Sequence, residues 1–130
     1  MNQKRIEELK KDFLNAIERL SEAIEEDPSI GGILVDGTIQ RFEFTFELAW
    51  KLAKVVLAHQ GIDVASPRQA IKEAFKFGLI KDGDGWIDML EDRNKAAHIY
   101  DEDEARTIYE KIINKHFSLL KEFAESFKSK

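Results

Sequence analysis

Between Asp36 and His59 the apolar residues cover two faces of a helical projection, not one. Ile39, Phe42, Phe46, Ala49, Trp50, Ala53 and Val56 share one face, with Phe44, Leu48, Leu52 and Val55 beside it. A helix with a single apolar stripe can lie on a surface, whereas one that is apolar around most of its circumference must be surrounded. This segment therefore needs partners on more than one side, and the rest of the chain supplies them as helices. Over residues 2–26, Ile6, Leu9, Phe13, Ile17, Leu20 and Ile24 recur at three- and four-residue steps with charged residues between them, the pattern of an amphipathic helix. Asp27-Pro28 ends that helix, and Ser29-Ile30-Gly31-Gly32-Ile33 reads as a turn, because paired glycines and the residue before a proline disfavour helix.

Gly61 is placed to cap the central helix, and Ser66-Pro67 to open a short one through Phe77 that buries Ile71, Ala74 and Phe75 and stops at Gly78. Its N-cap serine followed by proline matches the preferences of a helix start. After the turn Lys81-Asp82-Gly83-Asp84-Gly85, a further helix carries Trp86, Met89 and Leu90. Asp101 or Asp103 then caps a last helix bearing Ile108, Ile112, Leu119, Phe123 and Phe127. No useful strand alternation, internal repeat or low-complexity tract interrupts this. The expectation is an all-α, up-and-down four-helix bundle with an additional short helix, formed as one domain over residues 1–130.

Composition narrows the function classes. The chain has no cysteine, which excludes a disulfide framework, a thiolate metal site and a cysteine nucleophile, and fits a cytoplasmic protein. Its N-terminus lacks the apolar core of a signal peptide, and no apolar run is long enough to span a bilayer. A net charge of −5 argues against a broad nucleic-acid-binding surface. Asp82 to Glu104 is especially acidic: nine carboxylates stand against Arg93 and Lys95.

Within that acidic stretch lies the one compact set of residues with credible chemistry, Arg93-Asn94-Lys95-Ala96-Ala97-His98-Ile99-Tyr100. On a regular helix Asn94 and His98 share a face, while Arg93 stands about 140° from His98. If the chain leaves the helix after His98, then His98 and Tyr100 can point to the same side. Ala96 and Ala97 would let another helix approach closely, including one from a second copy of the chain. An imidazole can exchange a proton near neutral pH, and a guanidinium can hold a phosphate bidentately. Together they suit metal-free RNA cleavage, in which a ribose 2′-OH attacks its own phosphodiester. An Arg and a His beside many carboxylates are more often a surface ion-pair cluster, the reading that spacing alone favours, and the acidic surroundings repel phosphate while equally suiting a basic protein partner.

Other polar groups carry less. Arg41, Glu43, Glu47, Lys51 and Lys54 punctuate the central helix, with Glu47 four before Lys51, either as a salt-bridged face or as the polar lining of a cleft, with Arg41, Glu43, Glu47 and Lys51 its candidate lining residues. Asp82-Gly83-Asp84-Gly85 fails as a calcium loop, since the later ligand positions fall on Trp86 and Arg93. No metal site or cofactor is expected. His59 and His116 read as helix-end and surface residues, and Trp50, Trp86 and Tyr109 as packing.

The motif and its surroundings resemble the HEPN domain family, within it the nucleotidyltransferase substrate-binding proteins or HepT-like toxins. The resemblance is carried by Arg93-x4-His98-x-Tyr100 with Asn94 after the arginine, by the run Asp36-Gly37-Thr38-Ile39-Gln40-Arg41-Phe42-Glu43-Phe44-Thr45-Phe46-Glu47-Leu48-Ala49-Trp50-Lys51, and by Pro67-Arg68, Ala74-Phe75, Gly78-Leu79-Ile80 and Trp86. It covers nearly the whole chain. It implies a homodimeric helical bundle made alongside a cognate minimal nucleotidyltransferase as a toxin–antitoxin pair. In that pairing this chain is the metal-independent ribonuclease, with Arg93 and His98 catalytic and Asn94 orienting the phosphate, and Tyr100 is the contact and AMPylation site. The alternative it implies is a non-catalytic subunit that binds the substrate of the nucleotidyltransferase. The chain is not expected to transfer nucleotides by itself.

Overall fold

The computed structural model describes residues 3–26, 32–98 and 101–128. Among them the elements are α1 (Gln3–Glu25), α2 (Gly32–His59), α3 (Pro67–Phe77), α4 (Gly83–Ala96), α5 (Glu102–Lys111) and α6 (Phe117–Lys128), and there is no strand. A π-helical segment, Ile112–His116, joins α5 to α6 without leaving helical backbone, so the last three elements act as one long rod. This is the all-helical bundle with one short helix that the periodicity implies.

The twofold apolar character of α2 has the expected consequence. It packs against α1, α3, α4 and α5, while α1 also meets α6 and α3 meets α4. Phe42, Phe46, Ala49, Leu52 and Leu57 of α2 are fully enclosed, together with Phe13 and Leu20 of α1, Met89 of α4 and Leu120 of α6. Aromatic contacts run through the middle, with Trp86 against Phe46 and edge-on to Phe123, which in turn meets Phe13.

Local sequence signals set most boundaries. Ser66 Oγ accepts from the Gln69 amide at 3.1 Å, Asp82 Oδ1 from Gly85 at 2.9 Å and Asp101 Oδ1 from Glu104 at 2.8 Å, each satisfying an otherwise orphaned N–H at a helix start. Gly78 closes α3 at φ 88°, a left-handed conformation that glycine adopts without penalty. Gly85 is constrained by space: a Cβ there would lie 2.5 Å from Asp82 Oδ2 and 2.9 Å from Leu119 Cδ1. The helix cap and the α4–α6 contact thus both require its missing side chain.

Four local expectations are corrected. The central helix begins at Gly32, a turn before Asp36, because Val35 is buried with Ile39 and tertiary burial outweighs the weak helix propensity of glycine. The turn expected at Asp82–Gly85 is instead the capped start of α4. Phe75 is 52% exposed and lies over Gly83, whereas Ile71 and Ala74 take the inward face of α3. Phe44 is 61% exposed, so the second apolar face of α2 is narrower than the sequence suggests.

Candidate functional site

Arg93 to Ala96 form the last turn of α4 and Ala97 and His98 the turn beyond it, and successive residues there meet different neighbours. Trp86, Met89 and Leu90 face the core and fix the rotation of the helix. That rotation turns Asp88 and Asp92 towards α5 and the π-helical segment, and Arg93 towards α2.

Arg93 is held closely. Its Nη2 donates to Glu47 Oε2, its Nη1 donates to Asn94 Oδ1 at 3.1 Å, and the guanidinium lies 5.6 Å from the centre of the Phe46 ring. Glu47 also accepts from Trp50 Nε1 at 3.0 Å and pairs with Lys51 at 3.6 Å. Burial pushes the Glu47 carboxyl up, but the indole N–H and the arginine outweigh it and hold the group below its ordinary value. One helical turn earlier, Glu43 shows the opposite balance: burial raises it, and the more weakly felt Arg93 only partly offsets this. Glu47 therefore binds Arg93 directly, Glu43 feels its charge, and Lys51 joins the group only through Glu47. Arg41 does not; it turns to α1, where Nη1 donates to the Arg19 carbonyl at 2.6 Å.

On the other side of the α4 terminus, Asn94 and His98 line a cleft of about 600 Å³ shared with Lys95, Asp103, Glu104, Thr107 and Lys111. Their common orientation follows from the four-residue spacing. His98 sits just beyond the helix, its amide donating to the Lys95 carbonyl at 2.8 Å, and its side chain is exposed. Arg93 is not part of this lining, though Asn94 connects it to the cleft edge. Tyr100, with Ile99, lies outside the described residues.

Beneath the cleft is a buried network that the sequence reading missed. His116, expected at a surface, is fully enclosed. Its ring stacks on Phe42 with centroids 5.5 Å apart, and Nε2 lies 2.7 Å from Asp92 Oδ2. Lys111 Nζ pairs with Asp92 at 2.8 Å and with Asp88 at 3.0 Å, and Lys115 with Asp88 at 2.7 Å. The Lys115 hydrogen bond, aided by Lys111 and opposed by burial, lowers Asp88 to about 2. Asp92 is pushed up by burial but more strongly pulled down by His116 and Lys111, and Lys111 is raised by the two aspartates against its own burial. The signal was present in the sequence: Ile108, Ile112, His116 and Leu120 continue one apolar stripe at four-residue steps, and Asp88/Asp92 and Lys111/Lys115 are complementary pairs with the same spacing.

Ligand-capable atoms of Asp88, Asp92 and His116 lie within 4.8 Å of one another. Two lysine ammonium groups already neutralise these carboxylates, so a divalent cation would have to displace them. The donor set fits an internal ion-pair network better than a metal centre.

Comparison with known proteins gives concordant matches. The family described as nucleotidyltransferase substrate binding protein like matches residues 7–129. A Haemophilus influenzae protein named "Probable ribonuclease HepT" is 36% identical over 84 residues, 61% of this chain and 58% of that protein. The aligned segment thus spans less than two thirds of that relative. A solved structure from Thermus thermophilus aligns with a TM-score of 0.77 and 32% identity, over 88% of this chain and 96% of its own. Another, from Haemophilus influenzae, is titled as revealing the fold of a substrate binding domain of a nucleotidyltransferase; it aligns with a TM-score of 0.69 and 26% identity over 98% and 99% of the two chains. Among the described residues no helix is long and apolar enough to cross a membrane.

Proposed function

Since this chain belongs to the nucleotidyltransferase substrate-binding protein-like family, we propose that it is the ribonuclease subunit of a two-component toxin–antitoxin pair whose other member is a small nucleotidyltransferase. The observation that carries this reading is the α4 terminus, where His98 and Asn94 open onto a cleft of about 600 Å³ and Arg93 is fixed one face away.

In the reaction, the His98 imidazole accepts the proton of a ribose 2′-OH. The 2′-oxygen bonds to the adjacent phosphorus while the bond from phosphorus to the 5′-oxygen breaks. A protonated imidazole returns a proton to that leaving oxygen, giving a 2′,3′-cyclic phosphate and a free 5′-OH without change of oxidation state. Arg93 offsets the charge growing on the phosphoryl oxygens. Its contacts with Glu47 and Asn94 use two of five guanidinium N–H groups, leaving donors for a phosphate. Because Arg93 at the end of α4 and His98 just beyond it face different sides, the complete site draws on two copies of the chain, with Ala96 and Ala97 allowing close approach. Tyr100, two residues beyond His98, is the acceptor of AMP from the nucleotidyltransferase, and the added adenylate blocks RNA.

Purified protein incubated with RNA in EDTA tests this. Cleavage that is lost in His98→Ala and in Arg93→Ala supports it, and no cleavage by the unmodified dimer overturns it. The second reading, a non-catalytic subunit presenting a substrate to the nucleotidyltransferase, is favoured by the acidic cleft wall of Asp103 and Glu104. It predicts inert protein that still binds the nucleotidyltransferase. Mass spectrometry of Tyr100 after exposure to that enzyme and ATP tests the modification.

A further inference from the structure

Three unfavourable features meet at one point behind the candidate site. Asp92, the residue before Arg93, is a carboxylate with only 3% of its side chain exposed, and buried charge is costly unless paired. His116 Nδ1 is buried without a hydrogen-bond partner among the described residues, and such a group loses its hydration uncompensated. The helix that carries His116 widens to π geometry over Ile112–His116, a departure from α geometry found most often at functional sites. Apolar residues at both 92 and 116 would serve packing at least as well, so core filling does not account for the arrangement.

What the arrangement achieves is alignment. Phe42 fixes the plane of the His116 ring, and the ring directs Nε2 at Asp92 Oδ2. The acceptor is a carboxylate, so Nε2 donates. Lys111 reaches the same oxygen at 2.8 Å, and two donors at charge-assisted distances leave Asp92 a single rotamer. The next residues along the backbone are Arg93 and Asn94, and the next turn ends at His98. Glu47 restrains the same turn from the α2 side.

We infer that the buried Asp92–His116 pair, carried by the π-helical segment, is a positioning device that sets the direction of the Arg93, Asn94 and His98 side chains at the end of α4. Neither residue touches substrate; both act through the backbone of that turn. The kinetic consequence rests on the ribonuclease reading above, whereas the structural one does not.

The test compares His116→Phe, which keeps ring volume and stacking but cannot donate, with His116→Gln, whose side-chain amide can. In folded His116→Phe, amide hydrogen exchange of residues 93–98 should quicken about tenfold while that of the α1–α2 core is unchanged, the signature of local release rather than global weakening. RNA cleavage should lose about tenfold or more in kcat, with KM within about twofold, as expected when reacting groups are misaligned. His116→Gln should recover part of both. Unchanged exchange at 93–98 in folded His116→Phe, or a Gln variant no better than Phe, overturns the inference. If the wild-type dimer fails to cleave RNA, the ribonuclease reading falls and the exchange comparison alone decides the positioning role. Should His116→Phe not fold, His116→Leu, which also fills the core without a donor, is measured in the same way.

Discussion

The costs of cutting the Asp92–His116 contact from its two sides should not add. Asp92→Ala deprives the His116 Nε2–H of its acceptor inside the core, while Lys111 keeps Asp88 at 3.0 Å, so only one donor is orphaned. Breaking one side of a buried pair costs about 3–5 kcal/mol, and the retained Lys111–Asp88 bridge places this case near about 3. His116→Phe leaves Asp92 still paired with Lys111 and retains the stack on Phe42, which limits its cost to about 1–2 kcal/mol. In the double variant no orphan remains. Its loss should therefore fall short of the sum of the singles by about 1–2 kcal/mol. With an unfolding entropy near 2.1 cal/mol/K per residue, a 130-residue chain loses roughly 11 °C in Tm for about 3 kcal/mol. Urea unfolding followed by tryptophan fluorescence, with circular dichroism as a second probe, gives all four corners of the cycle. Losses that add to within about 0.3 kcal/mol would refute the coupling, as would an Asp92→Ala variant that costs less than about 1 kcal/mol.

The folded-state values of Asp88, at about 2, and of Asp92 lie below the ordinary 3.8, so the stability they contribute is fully present above the unfolded value. It should be lost as pH falls from near 3.8 towards about 2, and Asp88→Asn should flatten that part of an acid-unfolding curve. Gly85→Ala should destabilise by about 1–3 kcal/mol, since the new methyl meets the Asp82 cap and Leu119, read by the shift in urea midpoint. His98→Ala should abolish RNA cleavage yet change stability by less than about 0.5 kcal/mol, because its side chain is exposed. Glu47→Gln should lower cleavage about tenfold with the fold intact, through loss of the carboxylate that orients Arg93; wild-type rates in that variant would show that Glu47 does not act on the arginine.

Periodicity made the bundle legible because it depends on side-chain polarity alone: the inward faces of α1 and α2 can be counted off at three- and four-residue steps. Caps were legible for a related reason, since Ser66, Asp101 and Gly78 answer backbone needs that arise within a few residues. Phe75 and Phe44 misled because polarity does not say how much partner surface is available, and neither helix is covered where these rings emerge. Asp92 and His116 were hidden for another reason. They lie 24 residues apart, on different helices, so the apolar stripe that turns His116 inward and the matched Asp88/Asp92 and Lys111/Lys115 spacings do not by themselves pair the two; the π-helical register that helps to join them has no sequence pattern of its own.

The same distinction bears on the proposed chemistry. Four-residue spacing correctly groups Asn94 with His98 along one cleft, and the wide angular offset of Arg93 is equally real, with Glu47, Asn94 and Phe46 holding the guanidinium towards α2. A swing of Arg93 to His98 within one chain would break those contacts and leave Glu47 half-buried beside Trp50 without its main cation. Approach of a second α4 leaves them intact and adds a guanidinium from outside. The two routes differ in a measurable way. If the site is shared, mixing inactive Arg93→Ala protein with inactive His98→Ala protein should restore up to about one quarter of wild-type cleavage, since half of randomly formed dimers are mixed and each holds one intact site of two. Silence from exchanged, dimeric mixtures would require both groups to act from the same chain.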